Sequence, residues 1–415
     1  MKAGMMKLLF YNHTATVSGA ERVLLLILSE LDRSGCTPEV LCPSGLLRQM
    51  VEELGVPCLE AEPLTARFTW RPDHLLRYLG SFYRVIRRVR EQVRRAAPDL
   101  IHANSIRAGL VMTAATVGLR VPVIWHLHDL LPHHPFSTAI RWVALSSSRL
   151  RMIAVSQATA DSFRGLVVRW FGKRLPVRVI HNAADTERFQ PDAESRKAAR
   201  HELGLEDAQP VIGIVGQLTE RKGQLGLLHA FAKVTAVIPQ AVLLVIGAPL
   251  FTQGDQDYHR HLVQTAERLG IAEQVRFLGA RGDIPALMRV MDVLVVNSLA
   301  EPCGLVVLEG MASGTPVIAT AVGGNPEMIR HNVSGWLVPA RDEDALARGI
   351  IKLIRQPRLA SLLAESARQS VLTHFSVSSF AKKLNDFYLE AISTPTAAGS
   401  REAVVRQDQY PVGRD

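Results

Sequence analysis

Pro210-Val-Ile-Gly-Ile-Val215 runs directly into Gly216-Gln-Leu-Thr-Glu-Arg-Lys-Gly223, and that loop runs into residues 223–237. The first segment is short and apolar. The second is polar and bounded by glycines. The third carries apolar residues at helical spacing. A strand feeding a helix through such a loop is one unit of a parallel sheet covered on both faces. Downstream the strand recurs as Ala241-Val-Leu-Leu-Val-Ile246, Val275-Arg-Phe-Leu278, Val293-Leu-Val-Val296 and Pro316-Val-Ile-Ala319, with helical sequence between. Upstream it recurs as Lys7-Leu-Leu-Phe-Tyr11, Val40-Leu-Cys42, Leu100-Ile-His102, Val123-Ile-Trp125, Met152-Ile-Ala-Val155 and Val177-Arg-Val-Ile180. The expected fold class is therefore α/β, built as two facing Rossmann-like domains with an interdomain cleft. The polar stretch 191–207 marks the junction and divides residues 1–200 from 201–375. Phe375, Phe380, Leu384 and Phe387 mark a last amphipathic helix over 376–392. Residues 393–415 lack periodicity and read as a disordered tail.

With 415 residues, 47% hydrophobic and 21% charged, the chain is globular and long enough for two or three domains. Its four cysteines, Cys36, Cys42, Cys58 and Cys303, form no C-x-x-C pair. That argues against a disulfide framework or zinc ribbon and for a reducing, cytoplasmic compartment. No apolar run reaches the ~18 residues of a membrane-spanning helix. Leu8-Leu-Phe10 is cut short by Asn12 and His13, as in a first strand and not a signal peptide. Charge is uneven. Residues 1–205 hold 28 Lys and Arg against 18 Asp and Glu, net +10; residues 206–415 hold 20 against 21, net −1. The basic half should meet an anionic partner.

Four loops at strand ends carry the candidate chemistry, because ligands of open α/β sheets bind beyond the carboxyl ends of strands. Glu301-Pro-Cys-Gly-Leu-Val-Val-Leu-Glu309 begins just after Val296. Its first carboxylate can grip sugar hydroxyls and its second a ribose diol, while amides at the helix start suit a phosphate. Taken alone, the same pair is a helix-terminal charge and a solvated face. Arg221 and Lys222 can neutralise a diphosphate; taken alone, they are an ordinary basic loop. Ser18-Gly-Ala-Glu-Arg22 places Gly19 where amides can approach a phosphate. It is neither G-x-G-x-x-G nor G-x-x-x-x-G-K-[ST], which weighs against nicotinamide-cofactor and ATPase readings. His126-Leu-His-Asp129 can bond a substrate hydroxyl or be a satisfied structural pair. No carboxylate array accompanies it, so a metal is not expected.

In this order, G-A-E-R, H-D, G-x-x-x-x-R-K-G and E-P-x-G-x-x-x-x-E resemble family 4 of the retaining, nucleotide-sugar-dependent glycosyltransferases. Ala154-Val-Ser156, His181-Asn182, Val322-Gly-Gly-Asn-Pro-Glu327 and Gly335-Trp-Leu-Val-Pro339 fit the same pattern, so the likeness spans residues 5–390. Three positions depart from it. Gln217 stands where Arg is common, Cys303 where Phe is common, and Asn182-Ala-Ala-Asp185 where Asn-Gly-Val-Asp is usual.

The resemblance implies the GT-B fold, with a C-terminal helix crossing back onto the first domain. It implies a donor-binding second domain and an acceptor-binding first domain. Catalytic roles fall to Arg221 and Lys222 on the leaving diphosphate, Glu301 on the transferred sugar and His128, which orients it. Donor binding falls to Gly19, Gly216, Arg281, Cys303, Gly304, Leu305, Val306 and Glu309, with Glu309 on the ribose and Arg281 near the base. Retention follows from front-face attack with the leaving phosphate as base. No cofactor or metal is expected beside the nucleoside-diphosphate sugar, because Arg221 and Lys222 supply the charge. The expected acceptor is a lipid-linked or surface-polysaccharide glycan.

A helix over residues 74–95 places Leu75, Leu79, Phe82, Ile86, Val89 and Val93 on one stripe and Arg77, Arg84, Arg88 and Arg95 on another face. That pattern suits peripheral docking on the anionic inner face of a membrane. A core-packed helix with a solvated basic face fits it as well. Nucleic acid is not an expected partner, since few aromatics interleave with the arginines. A catalytically silent glycan- or nucleotide-sugar-binding subunit of the same fold is the alternative, with a two-domain epimerase or phosphorylase as a nearer rival.

Overall fold

The computed structural model describes residues 5–31, 35–63, 72–132, 134–147, 149–171, 177–249 and 253–393. Two parallel sheets organise them. The first holds β1 (Met6–Tyr11), β2 (Cys36–Cys42), β3 (Cys58–Glu60), β4 (Leu100–Ala103), β5 (Val123–Leu127), β6 (Leu150–Ala154) and β7 (Val177–Val179), in the order β3-β2-β1-β4-β5-β6-β7. Its helices are α1 (Gly19–Glu30), α2 (Leu46–Glu53), α3 (Pro72–Ala96), α4 (Ile106–Ala115), α5 (Pro135–Leu145) and α6 (Gln157–Phe171). After α7 (Ala193–Glu202) comes the second sheet, of β8 (Val211–Val215), β9 (Val242–Ile246), β10 (Val275–Gly279), β11 (Val293–Val296), β12 (Val317–Thr320) and β13 (Trp336–Val338). Its order is β10-β9-β8-β11-β12-β13. The helices there are α8 (Gln224–Thr235), α9 (Gln253–Arg268), α10 (Ile284–Val290), α11 (Leu305–Ala312), α12 (Asn325–Met328), α13 (Glu343–Arg355) and α14 (Pro357–His374), and α15 (Val377–Ser393) follows.

In the second sheet the central strands β8 and β11 are continuous apolar runs, as helices on both faces require, while β4 and β5 of the first each carry one buried histidine, His102 and His126. In both sheets the strand order reverses beside the first strand, between β1 and β4 and between β8 and β11. Loops leaving those strands flank a crevice, the place where such sheets bind ligands. This topology puts the candidate loops at one level.

α15 belongs to the first domain. Its Phe380, Leu384, Phe387 and Tyr388 are buried in one cluster with Phe10, Leu24, Val40 and Ile124. α14 stays on the second, where Ala367 and Val371 pack with Leu308 and Met311. Two parallel α/β domains joined by a returning C-terminal helix make the GT-B arrangement.

Some details differ from the sequence reading. The stretch 191–207 contains α7, and the division at residue 200 falls inside that helix. Arg200 is buried and donates to Val290 O at 3.0 Å, and Phe189 and Leu205 are in the second domain's core. β3 and β13 were not foreseen. On α3 the buried positions are Val85, Val89 and Val93, with Phe82 and Ile86 only half-buried. The side chains of Leu75, Arg77 and Leu79, and residues 394–415, lie outside the described residues. Among the described residues no helix is long and apolar enough to cross a membrane.

Candidate active site

β8 and β11 are neighbours, so their loops leave the sheet side by side. Backbone and side chains lock the two together. Leu299 donates its N–H to Arg221 O at 2.8 Å, and Asn297 Nδ2 donates to Gly223 O at 2.8 Å. Arg221 Nη1 donates to Ala300 O at 3.1 Å, and Lys222 Nζ to Glu301 Oε2 at 2.7 Å. Ser298 Oγ donates to the same carboxylate oxygen at 2.8 Å. The side chains of Lys222 and Glu301 are 17% and 6% exposed, so their attraction is screened less than that of a surface pair. Gly223 permits this approach. Its φ is +69°, and a Cβ there would stand 2.0 Å from Asn297 O. At Gly216 the Lys222 stem lies in ordinary contact, 3.7 Å from where a Cβ would be, and the backbone φ of +149° is what favours glycine.

Beyond Glu301 the chain turns through Cys303 into α11, with Gly304 at its cap. Burial pushes the Cys303 thiol pKa up, so it is an uncharged contact and not a nucleophile. Leu305 and Val306 are half-buried in the first turn. Glu309 lies one turn further. Burial raises its pKa, while Arg22, Arg188 and Lys222 pull it the other way. Arg22 comes from α1, so the two domains share this corner. Gly19 begins α1, and a Cβ on it would lie 3.7 Å from Leu305 Cδ1. The starts of α1 and α11 therefore face each other across the cleft.

The opposite wall carries His128. Its Nε2 is 3.2 Å from Asn104 Oδ1, and its ring lies 4.0 Å from that of His126, centre to centre. Burial pushes the His128 pKa down to about 3, so the ring is neutral. Behind it, His126 Nδ1 is 3.2 Å from His102 Nε2, and His102 Nδ1 is 2.7 Å from the Tyr388 hydroxyl of α15. Burial raises the Asp129 pKa, with Arg221 and Arg107 opposing. On the floor, Glu327 of α12 accepts from the Gln157 and Ala158 amides at 2.7 and 2.9 Å and lies 2.8 Å from His181 Nε2. A carboxylate of the second domain thus caps α6 of the first. Burial opposes its ionisation, but those bonds together hold its pKa below the usual range.

The structure brings Gly216, Arg221, Lys222, Glu301 and the turn 303–306 together, with Gly19 opposite and Glu309 one turn deeper. No hydrogen bond joins His128 to Glu301 or Lys222 among the described residues. Arg281 stands apart from that bonded set. It forms a two-pronged pair with Asp283, at 2.8 and 2.6 Å, inside its own turn. Sequence reasoning passed over Asn12, Asn104 and Tyr388. The first two each follow a strand at the crevice, a position that could have drawn notice; nothing local marks Tyr388. Among the described residues no three His, Cys, Asp or Glu side chains group to hold a metal ion.

Residues 17–188 match the family described as Glycosyltransferase Family 4, and residues 195–370 the one described as Glycosyl transferases group 1. The D-inositol 3-phosphate glycosyltransferase of Salinispora arenicola is 31% identical over 332 residues, which are 74% of this chain and 72% of that one. The chain belongs to glycosyltransferase family 4. The D-inositol 3-phosphate glycosyltransferase of Saccharomonospora viridis is 32% identical over 316 residues, 71% of this family 4 chain and 70% of its relative. The crystal structure of Anabaena Alr3699/HepE in complex with UDP-glucose matches with a TM-score of 0.79 and 28% identity, covering 93% of this glycosyltransferase and 100% of HepE.

Proposed function

We propose that this glycosyltransferase moves a sugar from a nucleoside-diphosphate sugar to an acceptor hydroxyl, with retention of configuration. The observation that carries this reading is the Lys222–Glu301 pair at the crevice of the second sheet. Lys222 bonds the Glu301 carboxylate through Oε2, and Arg221 donates to the carbonyl of the preceding Ala300. Cleavage develops negative charge on the diphosphate and positive charge on the sugar. Cations already in place stabilise that state; one comparable donor is worth ~3–4 kcal/mol. In this reading Glu301 holds the sugar, Glu309 the ribose, and Gly19, Gly216 and the 303–306 turn surround the donor. Arg281 lies near the base. The leaving phosphate accepts the acceptor's proton on the same face, and the two cations do the work a divalent metal would otherwise do. HepE, solved with UDP-glucose, supports a UDP-sugar as donor.

For the acceptor, the reading is a lipid-linked or surface-polysaccharide glycan met at the cytoplasmic face of a membrane. The names of the two inositol-phosphate relatives favour a second reading, a small phosphorylated polyol drawn to Arg22 and Arg107. A screen of nucleotide sugars for thermal protection, then transfer assays with both acceptor classes, tests all of this. A donor at 100 times its Kd should stabilise the fold by ~2.7 kcal/mol. Transfer should persist in excess chelator and keep the donor's anomeric configuration. Protection by no nucleoside-diphosphate sugar removes the donor reading, and an inverted product removes retention. Transfer to inositol phosphate alone selects the second acceptor.

A further inference from the structure

Asn12 and Asn104 follow β1 and β4, the neighbouring strands at the first domain's crevice. Both are fully buried. Neither amide can be turned over. Asn12 Nδ2 donates to Thr14 O at 2.8 Å and to Glu21 Oε1 at 3.2 Å. A carbonyl and a carboxylate only accept, so the amide nitrogen must face them and Oδ1 faces away. That oxygen receives Asn104 Nδ2 at 3.0 Å. The same nitrogen's other hydrogen goes to Ala20 O at 3.2 Å. Asn104 is thereby oriented too, with Oδ1 facing His128 Nε2 at 3.2 Å.

An amide oxygen has no hydrogen to give, so the hydrogen in this bond belongs to His128. The ring is neutral, because burial disfavours the imidazolium. Its single N–H proton is therefore on Nε2, and Nδ1 keeps a lone pair. Among the described residues no group bonds that Nδ1. Glu21 anchors the far end, where Ser18 donates to its Oε2 from N–H at 3.0 Å and from Oγ at 2.6 Å.

We infer that Asn12 and Asn104 are positioning residues that hold His128 as its Nε2–H tautomer and so present Nδ1 as an acceptor for a substrate hydroxyl. The ligand group is an O–H, not a phosphate or carbonyl oxygen, because Nδ1 has no hydrogen to offer one. This rests on the reading in which His128 meets the transferred sugar.

The test is a two-bond proton–nitrogen correlation spectrum of the full chain labelled with 15N-histidine at pH 7. His128→Gln assigns the peaks by their loss. The expected pattern is a protonated Nε2 beside an unprotonated Nδ1. An Nδ1–H tautomer, or an imidazolium, overturns the inference. Asn104→Leu removes the acceptor; the His128 peaks should move towards a mixture of tautomers, and kcat should fall on the order of 10–100-fold. An unchanged spectrum and turnover in that variant also overturn it. If Asn104→Leu does not fold, the wild-type tautomer decides. Wild-type transfer by His128→Gln would instead defeat the placement of His128 at the sugar, whatever its tautomer.

Discussion

Lys222 and Glu301 cannot be varied independently. Removing one member of a buried ion pair leaves the other without a partner, at ~3–5 kcal/mol when both are fully buried. Lys222→Ala should therefore lower the melting temperature as well as cut transfer on the order of 10²–10³-fold. Melting curves run beside turnover separate the two effects. A folded variant with near-normal transfer would take Lys222 off the diphosphate. The two glutamates should fail differently. Glu309→Ala should weaken binding of free UDP, and Glu301→Ala should chiefly damage transfer. Equal loss of UDP binding in both would contradict that division. These residues were legible in the sequence because each lies within a short contiguous motif. The tautomer of His128 was not, because Asn12 and Asn104 are 92 positions apart and meet only through sheet pairing.

Among the elements, legibility followed burial. β8, β9 and β11 are buried over nearly their whole length and read as unbroken apolar runs. β3 and β13 have three residues each and are half-exposed, so they leave no such trace. α7 is strongly polar, yet its start was written in Asp192, whose carboxylate accepts from Ser195 N at 3.0 Å. The histidines within β4 and β5, and His128 just after β5, give the fold a titratable weakness. Burial pushes the pKa of His102 down to about 3, against ~6.5 in an unfolded chain. Below pH ~6.5 the unfolded chain therefore takes up a proton that the folded one refuses. That stability is complete above pH ~6.5 and drains away as pH falls towards 3, by roughly 2 kcal/mol for this ring at pH 5. Melting temperatures between pH 7.5 and 5 should fall, and His102→Gln should flatten the slope. No fall in the wild type would show that the ring ionises inside the fold.

At the scale of the whole molecule, the first half is basic and the second neutral, and α3 concentrates the imbalance. Not all its arginines are free. Arg88 pairs with Glu62, and Arg90 donates to Ala115 O and Val117 O at 2.7 Å. Arg84, Arg87, Arg94 and Arg95 are exposed, each worth ~1 kcal/mol near an anionic surface. Co-sedimentation with anionic vesicles should exceed that with neutral ones, fade with salt and be lost when these four become Gln. Equal binding to both lipids would leave a soluble acceptor as the better reading. α15 has a different consequence. The first domain's hydrophobic cluster includes Phe387 and Tyr388, which a ribosome adds just over 200 residues after β7. At ~5–20 residues per second that interval is roughly 10–40 s. The second domain has all its strands by then, so the part of the chain made first is the last to be finished. Until α15 arrives, the apolar groove that Phe380, Leu384 and Phe387 fill stays uncovered.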